Sequence, residues 1–190
     1  MEFERIIDFL HDVGKLKRLT RTGWIESGVI KAESVADHSY RTTLLSMILS
    51  DLEGLNTLNV VRIALFHDLA ESRVGDLTPL EKQQTPEWEK QETIAIHEIL
   101  SQLPKKQSEF YEQTWKEWRE GLTPEAKLVK RADKLEMLLQ AQEYIEAGED
   151  AKKLMRFSHI SINSGSNEFE KAVKRLVDKN IVKQQEQNHC

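Results

Sequence analysis

The chain has 190 residues, 39% of them apolar and 31% charged, enough for one soluble-type domain that buries a core without metal or disulfide staples. Its formal net charge of −5 weighs against a dedicated nucleic-acid binder, whose phosphate contacts need a basic face. No apolar run approaches the roughly 18 residues of a membrane span. The single cysteine, Cys190, stands at the last position and has no partner for an internal disulfide. Met1 to Arg5 lacks the basic-then-apolar pattern of a secretory leader, so the expected compartment is the cytoplasm.

Nearly every segment reads as an amphipathic helix. The first is expected from Glu2 to Lys17, with Phe3, Ile6, Ile7, Leu10, Val13 and Leu16 on one face. A polar stretch follows from Arg18 to Ala32, with turns at Gly23 and Gly28. Ser34 reads as an N-cap, and Asp37 completes a capping-box variant opening a helix to about Leu52. Thr57 or Asn59 starts a helix that continues to about Ser72, and residues 75–79 form a loop bracketed by Gly75 and Pro79.

Thr85-Pro86 and Thr123-Pro124 each place a capping hydroxyl before a proline suited to the first helical position. The first opens a helix bearing Ile94, Ile96, Ile99 and Leu100; the second opens one that runs to Ala147 and stops at Gly148. Between them Phe110, Tyr111, Trp115 and Trp118 mark a helix ended by Gly121. A short helix over Ala151 to Phe157, a loop at Asn163 to Ser166 and a last helix from Glu168 to about Lys183 precede a fraying tail. The expected fold is all-α and single-domain, with a core over residues 3–147, C-terminal helices over about 149–184 and a tail at 185–190.

The chemistry concentrates at His67-Asp68, within the apolar run Leu65 to Ala70. A carboxylate in such a run is costly unless something pairs with it. Adjacent side chains diverge by about 100° on a helix, yet both reach an ion at the helix edge. Glu71 follows four residues after His67 and three after Asp68, on the same side. His38 sits in the first turn of the preceding helix, and Asp133 interrupts a long amphipathic one. Two His and two Asp make a mixed nitrogen and oxygen donor set that suits Mn²⁺, Co²⁺, Ni²⁺, Fe²⁺, Mg²⁺ or Zn²⁺ without choosing among them.

The order His38, then His67-Asp68, then Asp133 resembles the H…HD…D signature of the HD-domain phosphohydrolases. The likeness extends to the 5′-deoxynucleotidase subfamily through Gly14 to Arg18, Arg21 to Trp24, Glu33 to His38, His67 to Glu71 and Val74 to Pro79. It covers about Phe3 to Tyr144; the region beyond Ala147 adds little. The resemblance implies a helical HD domain, one divalent metal ion and a homodimer. It implies metal ligands at His38, His67, Asp68 and Asp133, a catalytic carboxylate at Glu71 and a second loop carboxylate at Asp76. The family's phosphate-binding Arg and Trp fall near Arg21 and Trp24. They are adjacent in the bacterial members and separated by two residues here, which leaves Arg18 as the alternative to Arg21. Trp24 either covers phosphate or base, or packs its loop onto the core.

The implied activity is removal of the 5′-phosphate from ribo- or deoxyribonucleoside 5′-monophosphates by attack of a metal-bound water, with no nucleic-acid or membrane partner. Two other accounts use the same scaffold: a catalytically silent nucleotide or metal sensor, and a phosphohydrolase for another small phosphate ester. His97, among Ile94, Ile96 and Ile99, reads as structural; His11 and His159 lack an acidic or motif context, and His189 is in the tail.

Overall fold

The computed structural model describes residues 2–158, 171–173 and 175. Among them the chain is helical, with one isolated bridge between Thr20 and Ser34 in place of any sheet, as the all-α expectation required. No helix among the described residues is long and apolar enough to cross a membrane.

Helix α1 (Glu2–Lys15) stops two residues before the expected end. Its buried face also differs from the expected one. Phe9, Val13 and Leu16 pack inward, whereas Phe3, Ile7 and Leu10 are exposed. Asp12 is the reason. Its buried carboxylate accepts from Arg73 Nη2 and Gln102 Nε2, both at 2.7 Å, and from Lys15 Nζ at 2.6 Å. This network turns α1 away from the apolar row that periodicity favoured.

The stretch read as polar loop contains a short helix, α2 (Thr22–Glu26), which takes Gly23 into a helical turn. Gly28 does adopt the left-handed conformation of a turn, at φ 82°. Helix α3 (Val35–Glu53) opens on the expected capping box, with Asp37 N donating to Ser34 Oγ at 3.1 Å and Ser34 N to Asp37 Oδ2 at 3.0 Å.

Helix α4 (Thr57–Phe66) is capped by Asn56 rather than by Thr57 or Asn59. It ends at Phe66 rather than near Ser72. Tight turns over residues 67–70 lead into a four-residue helix, α5 (Glu71–Val74). The His67 ring donates from Nδ1 to Ala64 O at 2.7 Å. An uninterrupted helix would give that carbonyl to the N–H of Asp68. The catalytic-looking pair therefore lies in a helix break, not inside a helix.

The loop at residues 75–78 ends in a capping box that the reading of residues 75–79 as a loop passed over, although Thr78 and Glu81 have its spacing. Thr78 and Glu81 exchange bonds, and Pro79 opens α6 (Pro79–Gln84). Thr85 closes α6 instead of opening the next helix, and α7 (Trp88–Leu100) starts after Glu87 in a left-handed conformation. Helix α8 (Lys105–Glu120) ends at left-handed Gly121 as expected, and α9 (Pro124–Glu146) is capped by Thr123. Helix α10 (Ala151–Ser158) follows. Of the last expected helix, residues 171–173 and 175 are helical and Val173 is buried; the expected loop at 163–166 and the tail lie outside the described residues.

Three apolar clusters hold the parts of the site. The first joins α3, α4 and α9 through Leu49, Ile63, Val129, Ala132 and Leu135, fixing the helices that carry His38, His67 and Asp133. The second contains Leu69 and Ala70, the two residues between Asp68 and Glu71. The third packs Trp24 against Tyr144, Leu154 and Phe157, which seats α2 and the adjacent Arg21. Each fully buried Leu or Ile contributes roughly 1.5–3 kcal/mol, so the positions of these helices are well determined.

Candidate metal centre

His38 and His67 are buried, with ring centroids 5.6 Å apart. His67 Nε2 lies 3.0 Å from Asp68 Oδ2, and His38 Nε2 lies 3.1 Å from Asp133 Oδ1 and 3.7 Å from Asp68 Oδ2. One donor atom from each of His38, His67 and Asp133 fits within 4.8 Å of the others. The two sequence-distant helices and the helix break thus bring together all four residues expected to form the centre.

These atoms lack ordinary partners. Among the described residues, His38 Nε2, His67 Nε2 and Asp68 Oδ2 are buried without a well-formed hydrogen bond. Buried polar atoms are rarely left so, because each orphan costs about 1–3 kcal/mol. Their opposite sides are satisfied: His67 Nδ1 by Ala64 O at 2.7 Å, His38 Nδ1 by Glu136 Oε2 at 2.5 Å. A carbonyl only accepts, so His67 carries its proton on Nδ1 and presents the Nε2 lone pair. Two imidazole nitrogens and two carboxylates facing one point are a donor set that fits a divalent ion.

The electrostatics agree. Burial and Arg21 push the His38 pKa down, but Asp133 and Glu136 outweigh them and raise it to about 10. Burial likewise opposes a charge on His67, and Asp68 overcomes it. Asp68 is held below the usual carboxylate range: burial would raise it, but His67, His38 and Arg21 prevail. A field that so favours a proton on an imidazole favours a cation at the same place.

Glu71 begins α5, is buried, and has Oε2 without a hydrogen-bond partner among the described residues. Burial, then the charges of Asp68 and Asp76, push its pKa well above the usual value. Asp76 is tied to the start of α2, with Thr22 N donating to Oδ2 at 2.5 Å and Thr22 Oγ1 to its carbonyl at 2.6 Å. Arg21 Nη1 stands 3.6 Å from Asp68 Oδ2 and 3.7 Å from Asp76 Oδ1.

These groups line a cavity of about 480 Å³ that also takes in Trp118, Met137, Lys82, Arg156 and Phe157. Arg21 faces it; Arg18 is exposed and does not line it. Trp24 is 1% exposed, and its ring lies 4.1 Å from that of Phe157 and 5.3 Å from that of Tyr144. It borders the cavity as well, so its burial matches packing of α2 onto the core while its position at the cavity wall keeps it beside the substrate space.

The sequence did not single out Glu136, Arg41, Glu33 or the α10 contribution to the cavity. Glu136 is fully buried, three residues after Asp133 on the same face of α9. A carboxylate among Ala132, Leu135 and Leu138 was the available signal. Arg41 Nε donates to Glu136 Oε1 at 2.9 Å. Trp24 Nε1 donates to Glu33 Oε1 at 3.0 Å, and burial with Glu136 nearby pushes the Glu33 pKa up to about 7. His97 is exposed, with Nδ1 3.3 Å from Glu112 Oε2 rather than packed among its neighbouring isoleucines, and His159 and His189 lie outside the described residues.

Comparison with known proteins places this architecture. The chain matches the HD domain family over residues 13–176. It is 40% identical over 153 residues to the 5′-deoxynucleotidase HDDC2 of Bos taurus, covering 80% of this chain and 74% of that one. It is 39% identical over 157 residues to the 5′-deoxynucleotidase hdd1 of Schizosaccharomyces pombe, covering 80% and 79% respectively. Among solved structures, a conserved hypothetical protein from Pyrococcus furiosus superposes with a TM-score of 0.73 at 34% identity, over 92% of this chain and 98% of that one.

Proposed function

The chain belongs to the HD-domain family, in the group of the 5′-deoxynucleotidases, and on that premise we propose that it is a metal-dependent phosphohydrolase removing the 5′-phosphate from ribo- and deoxyribonucleoside 5′-monophosphates. The observation that carries the reading is that His38 Nε2, His67 Nε2 and Asp68 Oδ2, buried and without well-formed hydrogen bonds, meet the half-buried carboxylate of Asp133 at a cavity that also holds Arg21. In this reading those four residues hold one divalent ion. When bound, the ion supplies positive charge that acidifies water and neutralises phosphoryl oxygens.

The remaining steps belong to side chains. Arg21 offers a planar guanidinium fork matched to phosphate oxygens, and Asp68 and Asp76 keep it charged and aimed. Glu71, whose pKa is raised by burial and by Asp68 and Asp76, donates its proton to the departing 5′-oxygen. Asp76, pinned by Thr22, orients the attacking water or the sugar. Phe157 and Met137 give the cavity apolar walls for the base, and its volume suits a free nucleotide rather than a polymer.

The reading includes a cytoplasmic homodimer. Tyr40, Leu44, Ile48 and Leu52 lie four residues apart along α3 and are all exposed, an apolar row available to a second copy. Sedimentation of the purified protein tests this; a monomer at micromolar concentration removes the dimer from the reading.

The decisive experiment is a panel of ribo- and deoxyribonucleoside monophosphates assayed for phosphate release with Mn²⁺, Co²⁺, Ni²⁺, Fe²⁺, Mg²⁺ or Zn²⁺, beside an Asp68→Ala control. Metal-dependent release abolished in the control is the expected result. Release that survives in Asp68→Ala, or none with any ion, overturns the reading.

A further inference from the structure

Both imidazoles of the centre present Nε2 inward, and each has its Nδ1 held from behind. For His67 the holder is the backbone carbonyl of Ala64, which no substitution removes. For His38 it is a side chain, Glu136, from another helix and 98 residues away in sequence. Glu136 is completely buried. Its two oxygens divide their work: Oε2 takes His38 Nδ1 at 2.5 Å and Oε1 takes Arg41 Nε at 2.9 Å. Arg41 is fixed in turn by Glu143 at 2.7 and 2.8 Å and by Gln140 Oε1 at 2.6 Å. All three anchors of Arg41 project from α9, which also carries Asp133.

A buried carboxylate has no place in the apolar face of α9 unless it does something there. Core packing alone would favour an apolar residue of similar volume at this position. A carboxylate behind an imidazole sets the tautomer, orients the ring and raises the basicity of the far nitrogen. Glu33 also approaches this group, but Trp24 Nε1 already occupies one of its oxygens.

We propose that Glu136 is the positioning residue of the centre: it fixes His38 with Nε2 toward Asp68 and Asp133, and the Arg41 clamp holds Glu136 in register with α3. The inference rests on His38 being a metal ligand. It adds that affinity for the ion is set from outside the ligand set, through the α3–α9 seam, and that Arg41 acts at two removes.

The test is titration of the purified full chain with Co²⁺, read by calorimetry and by the visible absorption of the bound ion. Wild type, Glu136→Gln, Glu136→Met, Arg41→Met and Asp68→Ala are compared. Loss of the acceptor in Glu136→Met weakens Co²⁺ binding about 10–100-fold and shifts its spectrum. Glu136→Gln keeps an oxygen able to accept from Nδ1 and recovers part of the affinity. Arg41→Met, at a partly exposed position, folds and weakens binding by a smaller factor. Thermal melts in chelator separate these effects from general destabilisation, which leaves the affinity and spectrum of the folded fraction unchanged.

Wild-type affinity and spectrum in folded Glu136→Met overturn the proposal while leaving the assigned function intact. If Glu136→Met does not fold, unchanged affinity and spectrum in both Glu136→Gln and Arg41→Met overturn it equally. A wild type that binds no Co²⁺ or other divalent ion overturns the function and this inference together, which distinguishes the two failures.

Discussion

Replacing Glu71 with Gln should move stability and activity in opposite directions. The carboxyl is 7% exposed, its Oε2 has no hydrogen-bond partner among the described residues, and Asp68 and Asp76 press on it with like charge. Its folded pKa is therefore raised above the unfolded value. A raised acid gives full stability below the unfolded pKa, about 4.3, and that stability is lost as pH rises through the folded value. Gln has the same shape and no charge to lose. In metal-free protein at pH 8 the variant should be more stable than wild type, by roughly 1.4 kcal/mol for each tenfold by which the folded acid holds its proton more tightly than the unfolded one. The gain should vanish at pH 4, where both side chains are neutral. Turnover should fall by about 10²–10⁴, the usual contribution of a positioned proton donor, while metal affinity stays within a few-fold. Denaturant unfolding at both pH values, run beside phosphate-release kinetics, checks all three parts. A variant less stable at pH 8, or one that keeps wild-type turnover, would refute the account of Glu71 as a buried acid whose raised pKa serves the leaving group.

Other consequences follow from particular contacts. Burial raises the Asp12 carboxyl, but bonds from Lys15, Arg73 and Gln102 overcome this and lower its pKa to about 2. A depressed acid gives stability that is present above the unfolded pKa and lost as pH falls through the folded one. Asp12→Asn should therefore cost about 2 kcal/mol at pH 7, since each tenfold change in proton affinity is worth roughly 1.4 kcal/mol, and the difference should disappear as pH falls from 4 to 2; a difference independent of pH contradicts this. Gly75 sits at φ 86° and ψ 162°, and an added Cβ there meets nothing within 4 Å. Gly75→Ala should cost about 1–3 kcal/mol of backbone strain and lower kcat by displacing Asp76, both readable by melting and kinetics. Adding a divalent ion at about a hundred times its dissociation constant should stabilise wild type by about 2.7 kcal/mol and leave Asp68→Ala unmoved in the same melt.

Much of this was legible in the residues. The capping box at Ser34 and Asp37, the Thr123-Pro124 start and the Gly121 stop use local chemistry, and the structure forms each of them. Local chemistry also misled. Thr85-Pro86 carries the same signature as Thr123-Pro124, yet Thr78-Pro79 captured the helix start, because Glu81 completes a reciprocal box there. The face of α1 differs from the periodic one because a buried acid with three long-range or local partners outbid an apolar row. Glu136 was hidden for a related reason. Its partners His38 and Arg41 lie on another helix, and nothing near it in sequence announces them.

The break after Phe66 shows why sequence identified the chemistry better than the geometry. In a continuous helix His67 and Asp68 would point about 100° apart, and Glu71 would stack over His67. Such an arrangement spreads three polar groups over a wide arc of a buried surface. The His67 imidazole takes the Ala64 carbonyl instead, and the chain turns tightly before α5 begins. His67 Nε2 and Asp68 Oδ2 then come within 3.0 Å, while Leu69 and Ala70 point into the second core cluster. The same side chain thus ends the helix, sets its own tautomer and frees Nε2. A substitution at His67 must therefore disturb backbone and donor set together, whereas Asp133, on an unbroken α9, can change without moving the chain. Of the four residues, Asp133 is the one whose loss isolates the role of a donor from the role of the fold.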